Sequence, residues 1–402
     1  MTPPPSATLS PADLQTAVRL LAIGTFFSGI ALRLCDGLLP RLAGDFSISA
    51  GQAGQVVIAF SLAYSAVQLL FGPLGDRFGK ARMVCLALLG CCVMSLLAAL
   101  APSFERLVDA RVGWGMMAAG VVPLAMAWIG DAVPYEERQP TLAKLLSGTL
   151  SGMVAGQLAG GLFAEMAAGW RGAFGMMAVG YGGVGLVLLW RLRRLPVPPP
   201  ASTGLGVFGR QLRAVVGEPW TWRVLGACWA EGVLLLGPLA FIPAMLHQRF
   251  GLGLALASGL VALYAAGGLL YTVLARRIVQ RLGERRMVTV GGWLMGGGYL
   301  AWLLSPVVWT AAPAALVVGF GTYLFHNTLQ THATQMAPTA RGTAVSLFAF
   351  SLFFGQAVGV TLAGYAFDHL GHAAMLAAPV LLLPLVGLAF AGALRRRVDA
   401  AD

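Results

Sequence analysis

The feature that most constrains this chain is the spacing of its ions. Stretches without a single charged residue cover 46–75, 83–104, 112–130, 145–164, 172–190, 250–275, 287–340 and 342–367. A helix rises about 1.5 Å per residue, so roughly 20 apolar residues cross a hydrocarbon layer about 30 Å thick. The stretch 287–340 is long enough for two crossings, with a break near "SPVVWTAAP" at 305–313. Segments 20–40 and 224–246 read as spans interrupted by charge, and 372–394 supplies a last one. The expectation is an all-α integral membrane protein with twelve transmembrane helices. Composition agrees: 58% of the residues are hydrophobic and 11% charged, whereas a soluble chain carries about a quarter charged residues.

The net charge of +11 could suggest a nucleic-acid partner, but its placement argues for topology instead. With both termini in the cytoplasm, 21 of the 27 Lys and Arg residues fall at cytoplasmic helix ends. That is the positive-inside bias. It predicts a multi-pass protein of the inner (cytoplasmic) membrane, with the lipid bilayer as partner and no nucleic acid. The five cysteines all lie in apolar stretches without metal-ligand spacing and read as small buried hydrophobes. No metal or cofactor is expected. The stretch 19–30 has some character of a signal peptide, but Arg33 and Asp36 stand where a cleavage site would follow. It reads as a retained first helix.

The chain repeats itself. "RFGKARMV" at 77–84 returns as "RLGERRMV" at 281–288, an offset of 204, and "GQLAG" at 156–160 returns as "GQAVG" at 355–359, an offset of 199. Between the repeats, 191–213 is rich in Pro, Gly and Arg and reads as a linker. The expected organisation is an N-terminal six-helix bundle at 1–190, a cytoplasmic linker at 191–220 and a C-terminal six-helix bundle at 221–402. Duplicated halves around a central site are a common build for secondary transporters.

Gly72, Asp76, Arg77, Gly79, Lys80 and Arg82 resemble the loop signature between the second and third helices of the major facilitator superfamily, with Ala81 interrupting its basic run. Helix count, repeat and linker extend the resemblance over essentially the whole chain. It implies two pseudo-symmetric six-helix bundles that rock about a central cavity. It also implies a cytoplasmic latch in which Asp76 meets the start of the eleventh helix near Arg341. A carboxylate can hold two bundles together through a helix dipole or an arginine fork, whereas apolar contact must compete with lipid tails. The alternative is that these ions only anchor the loop among headgroups.

Ionisable groups within a span are costly and normally face a partner or a wet cavity. Arg33 and Asp36 fall on the first predicted span, Arg111 on the fourth, Glu231 on the seventh and His326 on the tenth. In the family these four helices line the cavity. Arg33 and Asp36 are three apart and share a helix face. Asp36 and Arg111 lie at similar depth, so Asp36 either exchanges between Arg111 and a proton or forms a permanent structural pair. "RVGWGMMAAG" at 111–120 resembles the family's fourth-helix arginine motif. Glu231 and His326 form a second candidate for proton coupling, since a carboxylate beside an imidazole can carry a proton in the physiological range. Alternatively Glu231 faces a cationic substrate, with Asn327, Gln330 and Thr331 offering hydrogen bonds.

Gly152, Gly156, Gln157, Gly160 and Gly161 resemble the fifth-helix motif of the antiporter branch, with Gln157 in place of its proline. Independently, glycines four apart let another helix approach closely. "DGLLPRLAGDF" at 36–46 resembles the end of the first helix in twelve-span drug–proton antiporters. The expected function is export of a small organic molecule by proton antiport, by a monomer. The alternatives are proton-coupled uptake, sugar or amino-acid transport, or a transporter-like sensor that moves nothing. No His-Glu-x-x-His, nucleophile elbow or nucleotide loop is present in the sequence, and no enzymatic activity is expected.

Overall fold

In the computed structural model, which describes residues 11–192 and 205–399, every regular element is helical. The N-terminal set comprises α1 (Pro11–Phe46), α2 (Ala50–Phe78), α3 (Lys80–Ala99), α4 (Phe104–Ala132), α5 (Tyr135–Glu165) and α6 (Gly169–Leu192). A short amphipathic helix, Leu205–Val216, follows. The C-terminal set opens with α7 (Pro219–Phe250). A single helical element, Leu254–Leu304, is broken at Gly283 into α8 (254–282) and α9 (284–304). The chain continues with α10 (Ala311–Gln335), α11 (Arg341–His369) and α12 (His372–Asp399).

Among the described residues, ten helical elements are long and apolar enough to cross a membrane. The expected count was twelve, and two elements account for the difference. Leu254–Leu304 counts once although its 51 residues would reach about 75 Å if straight. It folds back at Gly283, so both arms lie along α10. A Cβ on Gly267 would meet the Leu316 carbonyl, and one on Gly298 would lie 3.0 Å from the Ala314 carbonyl. The other element is α5, whose Ser147, Thr149, Ser151 and Gln157 dilute its hydropathy.

Large apolar side chains remain exposed on most of these helices, among them Leu86, Val179, Val273 and Leu381, and Trp309 is 81% exposed. Such a surface belongs in lipid rather than water. The cysteines are unpaired, four of them buried.

The sequence repeats coincide with repeated geometry. Gly79 ends α2 at φ 91°, and Gly283, 204 residues later, breaks α8 from α9 at φ 66°. Both turns need a left-handed backbone that a Cβ disfavours. The second repeat is a backbone seam. A Cβ on Gly156 or Gly160 would meet the carbonyls of Ile30 or Leu34 on α1, and a Cβ on Gly355 or Gly359 would meet those of Trp229 or Val233 on α7. Helices α5 and α11 thus ride on α1 and α7 in the same way.

Candidate functional site

Two carboxylates, Asp36 and Glu231, are buried within the helices, each beside a basic side chain. On α1, Arg33 Nη1 donates to Asp36 Oδ2 at 3.3 Å, and the residues are 5% and 1% exposed. The i,i+3 spacing places both on one face. Asp36 Oδ1 is buried without a hydrogen-bond partner among the described residues. Between α7 and α10, His326 Nδ1 lies 2.9 Å from Glu231 Oε2, and the imidazole packs against Phe348. Glu231 is 1% exposed and immediately precedes a π-helical turn, Gly232–Leu236. A π-turn inserts one extra residue per turn and commonly marks functional sites. Nothing in the sequence pattern pointed to it.

Arg111 on α4 does not pair with Asp36 in this conformation. Its Nε donates to the Val56 carbonyl at 3.0 Å, and its guanidinium lies 4.2 Å from the Phe60 ring and 4.8 Å from that of Trp114. Its Nη1 has no hydrogen-bond partner among the described residues. The aromatic faces offset part of the burial of this cation.

A cavity between the two sets is lined by Arg33 and Gln157 with Tyr264 from α8, Tyr323 from α10 and apolar side chains of α5 and α7. The Arg33 guanidinium lies 5.9 Å from the Tyr264 ring, and the Nε2 of the buried Gln157 is without a partner among the described residues. The cavity has little more room than one water needs, so no organic molecule enters it in this conformation. Asn327 is half-buried, and Gln330 and Thr331 are exposed, the Thr331 hydroxyl being donated to the Asn327 carbonyl. No hydrogen bond joins these three to Glu231.

Gly152, Gly156 and Gly160 pack on α1 at Phe26, Ile30 and Leu34. Gly161 turns the other way: a Cβ there would lie 2.5 Å from the Leu254 carbonyl of α8. One motif therefore serves both a seam within the N-terminal set and a junction between the sets.

The two ends of the molecule differ. At the end carrying the 79 and 283 turns, Lys80 bridges Asp76 at 3.7 Å and Asp131 at 2.5 Å, all within the N-terminal set. Arg77 lies against Phe78, Arg82 and Gly72 are exposed, and no contact joins Asp76 to the exposed Arg341. At the opposite end, two carboxylates cross between the sets. Asp368 of α11 accepts from Gly51 N at 3.0 Å and Ser49 Oγ at 2.5 Å, capping the start of α2. Glu165 of α5 accepts from Ala255 N at 3.1 Å at the start of α8. Asp368 follows Glu165 by 203 residues and Ala255 follows Gly51 by 204, so the two caps are the same device repeated. Neither acid stood out in the sequence reading. The signal was an acid ending each of two helices at nearly the repeat offset, "FAE" at 163–165 and "AFD" at 366–368.

The family model of the Major Facilitator Superfamily matches residues 21–360 and 260–401. An uncharacterised MFS-type transporter of Bacillus subtilis, YceJ, is 24% identical over 349 residues, covering 86% of this chain and 88% of that protein. A chloramphenicol resistance protein of Streptomyces lividans is 26% identical over 353 residues, covering 87% and 88%. The fold matches the crystal structure of a bacterial homologue of the human lysosomal transporter Spinster, in an inward-facing and unoccupied conformation, with a TM-score of 0.72 and 21% identity over 95% of both chains. Repeat, loop signature, membrane helices and family match converge, and the chain belongs to the major facilitator superfamily of membrane transporters.

Proposed function

We propose that this protein exports a small organic molecule across the inner membrane in exchange for protons. In this reading α1–α12 are twelve spans in two six-helix bundles, 1–190 and 221–402, with both termini cytoplasmic. The tether is 191–220, of which 193–204 lie outside the described residues. The likeness to a chloramphenicol resistance protein supports the export direction.

The observation that carries the reading is the pairing of two buried carboxylates, Asp36 with Arg33, which lines the cavity between the two sets, and Glu231 with His326. The polar atoms of a fixed buried pair are normally hydrogen-bonded. Here Asp36 keeps one oxygen unpartnered, and Arg111 keeps a free N–H group near it. Asp36 can take a proton, release Arg33 and accept from Arg111 in another conformation. The carboxylate caps close the periplasmic end in this reading, while the cytoplasmic latch at Asp76 is unengaged, so the bundles rock between these two sets of contacts.

Proteoliposomes loaded with a pH-sensitive dye test the reading. A transported compound added on the cytoplasmic side of the protein should drive protons the opposite way, and Asp36→Asn should abolish the signal. Compound movement without proton movement would overturn coupling, and proton movement in the same direction as the compound would overturn exchange.

A further inference from the structure

Outside the central region, a groove of about 500 Å3 opens between the 79/283 ends of α7 and α12, lined by residues of those two helices. Its walls are small or apolar, including Ala227, Ala230 and Phe390, and Arg223 and Arg396 stand at its rim. Trp222 donates its indole N–H to the Val216 carbonyl at 2.9 Å and leaves its ring 59% exposed beside the groove. Among the described residues neither Arg223 nor Arg396 has an ion pair, a hydrogen bond or a ring contact, whereas the neighbouring Arg397 stacks on Trp220 at 4.5 Å.

The first half treats the matching place differently. There Asp13 pairs with Arg191 at 3.7 Å, and Arg191 precedes Arg395 by 204 residues. The residue 204 after Asp13 is Gly217, and the adjacent Glu218 forms no ion pair with either rim arginine. By the same offset Arg223 matches Arg19 and Arg396 matches Leu192, so the second half alone carries an arginine at both rim positions.

We infer that this groove binds one anionic phospholipid, its headgroup phosphate held by Arg223 and Arg396 and an acyl chain lying along Ala227, Ala230 and Phe390. Guanidinium presents a fork that matches phosphate oxygens. Basic pockets between helices at the cytoplasmic leaflet suit anionic headgroups, and the slot volume suits a single chain. The placement at that leaflet rests on the orientation proposed above; the binding chemistry does not.

The purified full chain in detergent, titrated with phosphatidylglycerol or phosphatidylcholine and followed by native mass spectrometry, tests this without reference to transport. One phosphatidylglycerol should bind at least tenfold more tightly than phosphatidylcholine. The R223Q/R396Q variant should erase that preference, and R276Q/R277Q, removing two exposed arginines elsewhere at the same end, should keep it. Ala230→Trp, which fills the slot and leaves the charge intact, should also lose the bound lipid and stands in if R223Q/R396Q fails to fold. A preference unchanged in R223Q/R396Q or in Ala230→Trp would overturn the inference. So would displacement of the lipid by millimolar inorganic phosphate, since the site would then be for free anions.

Discussion

Asp36 is buried with one carboxylate oxygen unpartnered, so removing its charge should cost less than removing its partner. Asp36→Asn keeps the shape and leaves Arg33 facing a neutral acceptor. The expected result is folded protein at near wild-type yield that has lost proton-driven flux. A collapse in yield would make the pair structural. Glu231 and His326 sit 2.9 Å apart in a place where a lone charge is expensive. Breaking a buried pair by removing one partner costs about 3–5 kcal/mol. Glu231→Gln and His326→Gln should therefore each destabilise, and the double variant should be milder than their sum by about 1 kcal/mol or more. Thermal unfolding of the four proteins in one detergent measures this, and strict additivity would show that the contact carries no energy.

At the scale of elements, glycine sets how closely helices approach and where the chain reverses. The α5–α1 and α11–α7 seams leave no room for a side chain, because the space a Cβ would take is occupied by a backbone carbonyl. Overpacking of this kind costs about 1–3 kcal/mol even where the structure can shift. Gly355→Leu should exceed that range and sharply reduce folded yield, measured by size-exclusion of detergent extracts, while Gly226→Leu, at an open position of α7, should not. Gly283 faces open space, so its value lies only in its backbone angle. Gly283→Ala should cost about 1–3 kcal/mol, read as a lower Tm with transport retained.

At the scale of the whole molecule, paired carboxylate caps join the N- and C-terminal helix sets at one end, and among the described residues Asp76 makes no ion contact across them at the other. A carboxylate at a helix start contributes about 0.3–1 kcal/mol, and up to about 2 when partly buried. At about 0.3–1 kcal/mol for each cap, removing both in E165Q/D368N should shift the balance between conformations by about threefold to thirtyfold toward the state open at that end. Spin labels placed on the ends of α2 and α11 would report it as a longer distance population. An unchanged distance distribution would mean that apolar packing alone holds this end shut.

The family, the helical class, the repeat and the membrane setting were legible in the sequence because they depend on local quantities: length of apolar runs, placement of basic residues, and turns that only glycine tolerates. Arg33 with Asp36 was legible for the same reason, being one turn apart on one helix. The choice of Arg111 for the Val56 carbonyl and two aromatic rings, the π-turn after Glu231, and the caps at Asp368 and Glu165 were not legible. Each joins residues from different helices, so each depends on rotation and depth after packing, which a linear pattern of polarity does not specify. Sequence alone determined which ions the bilayer would force inward; tertiary structure decided which of them meet, because a buried charge takes whatever partner the packed neighbours bring within reach.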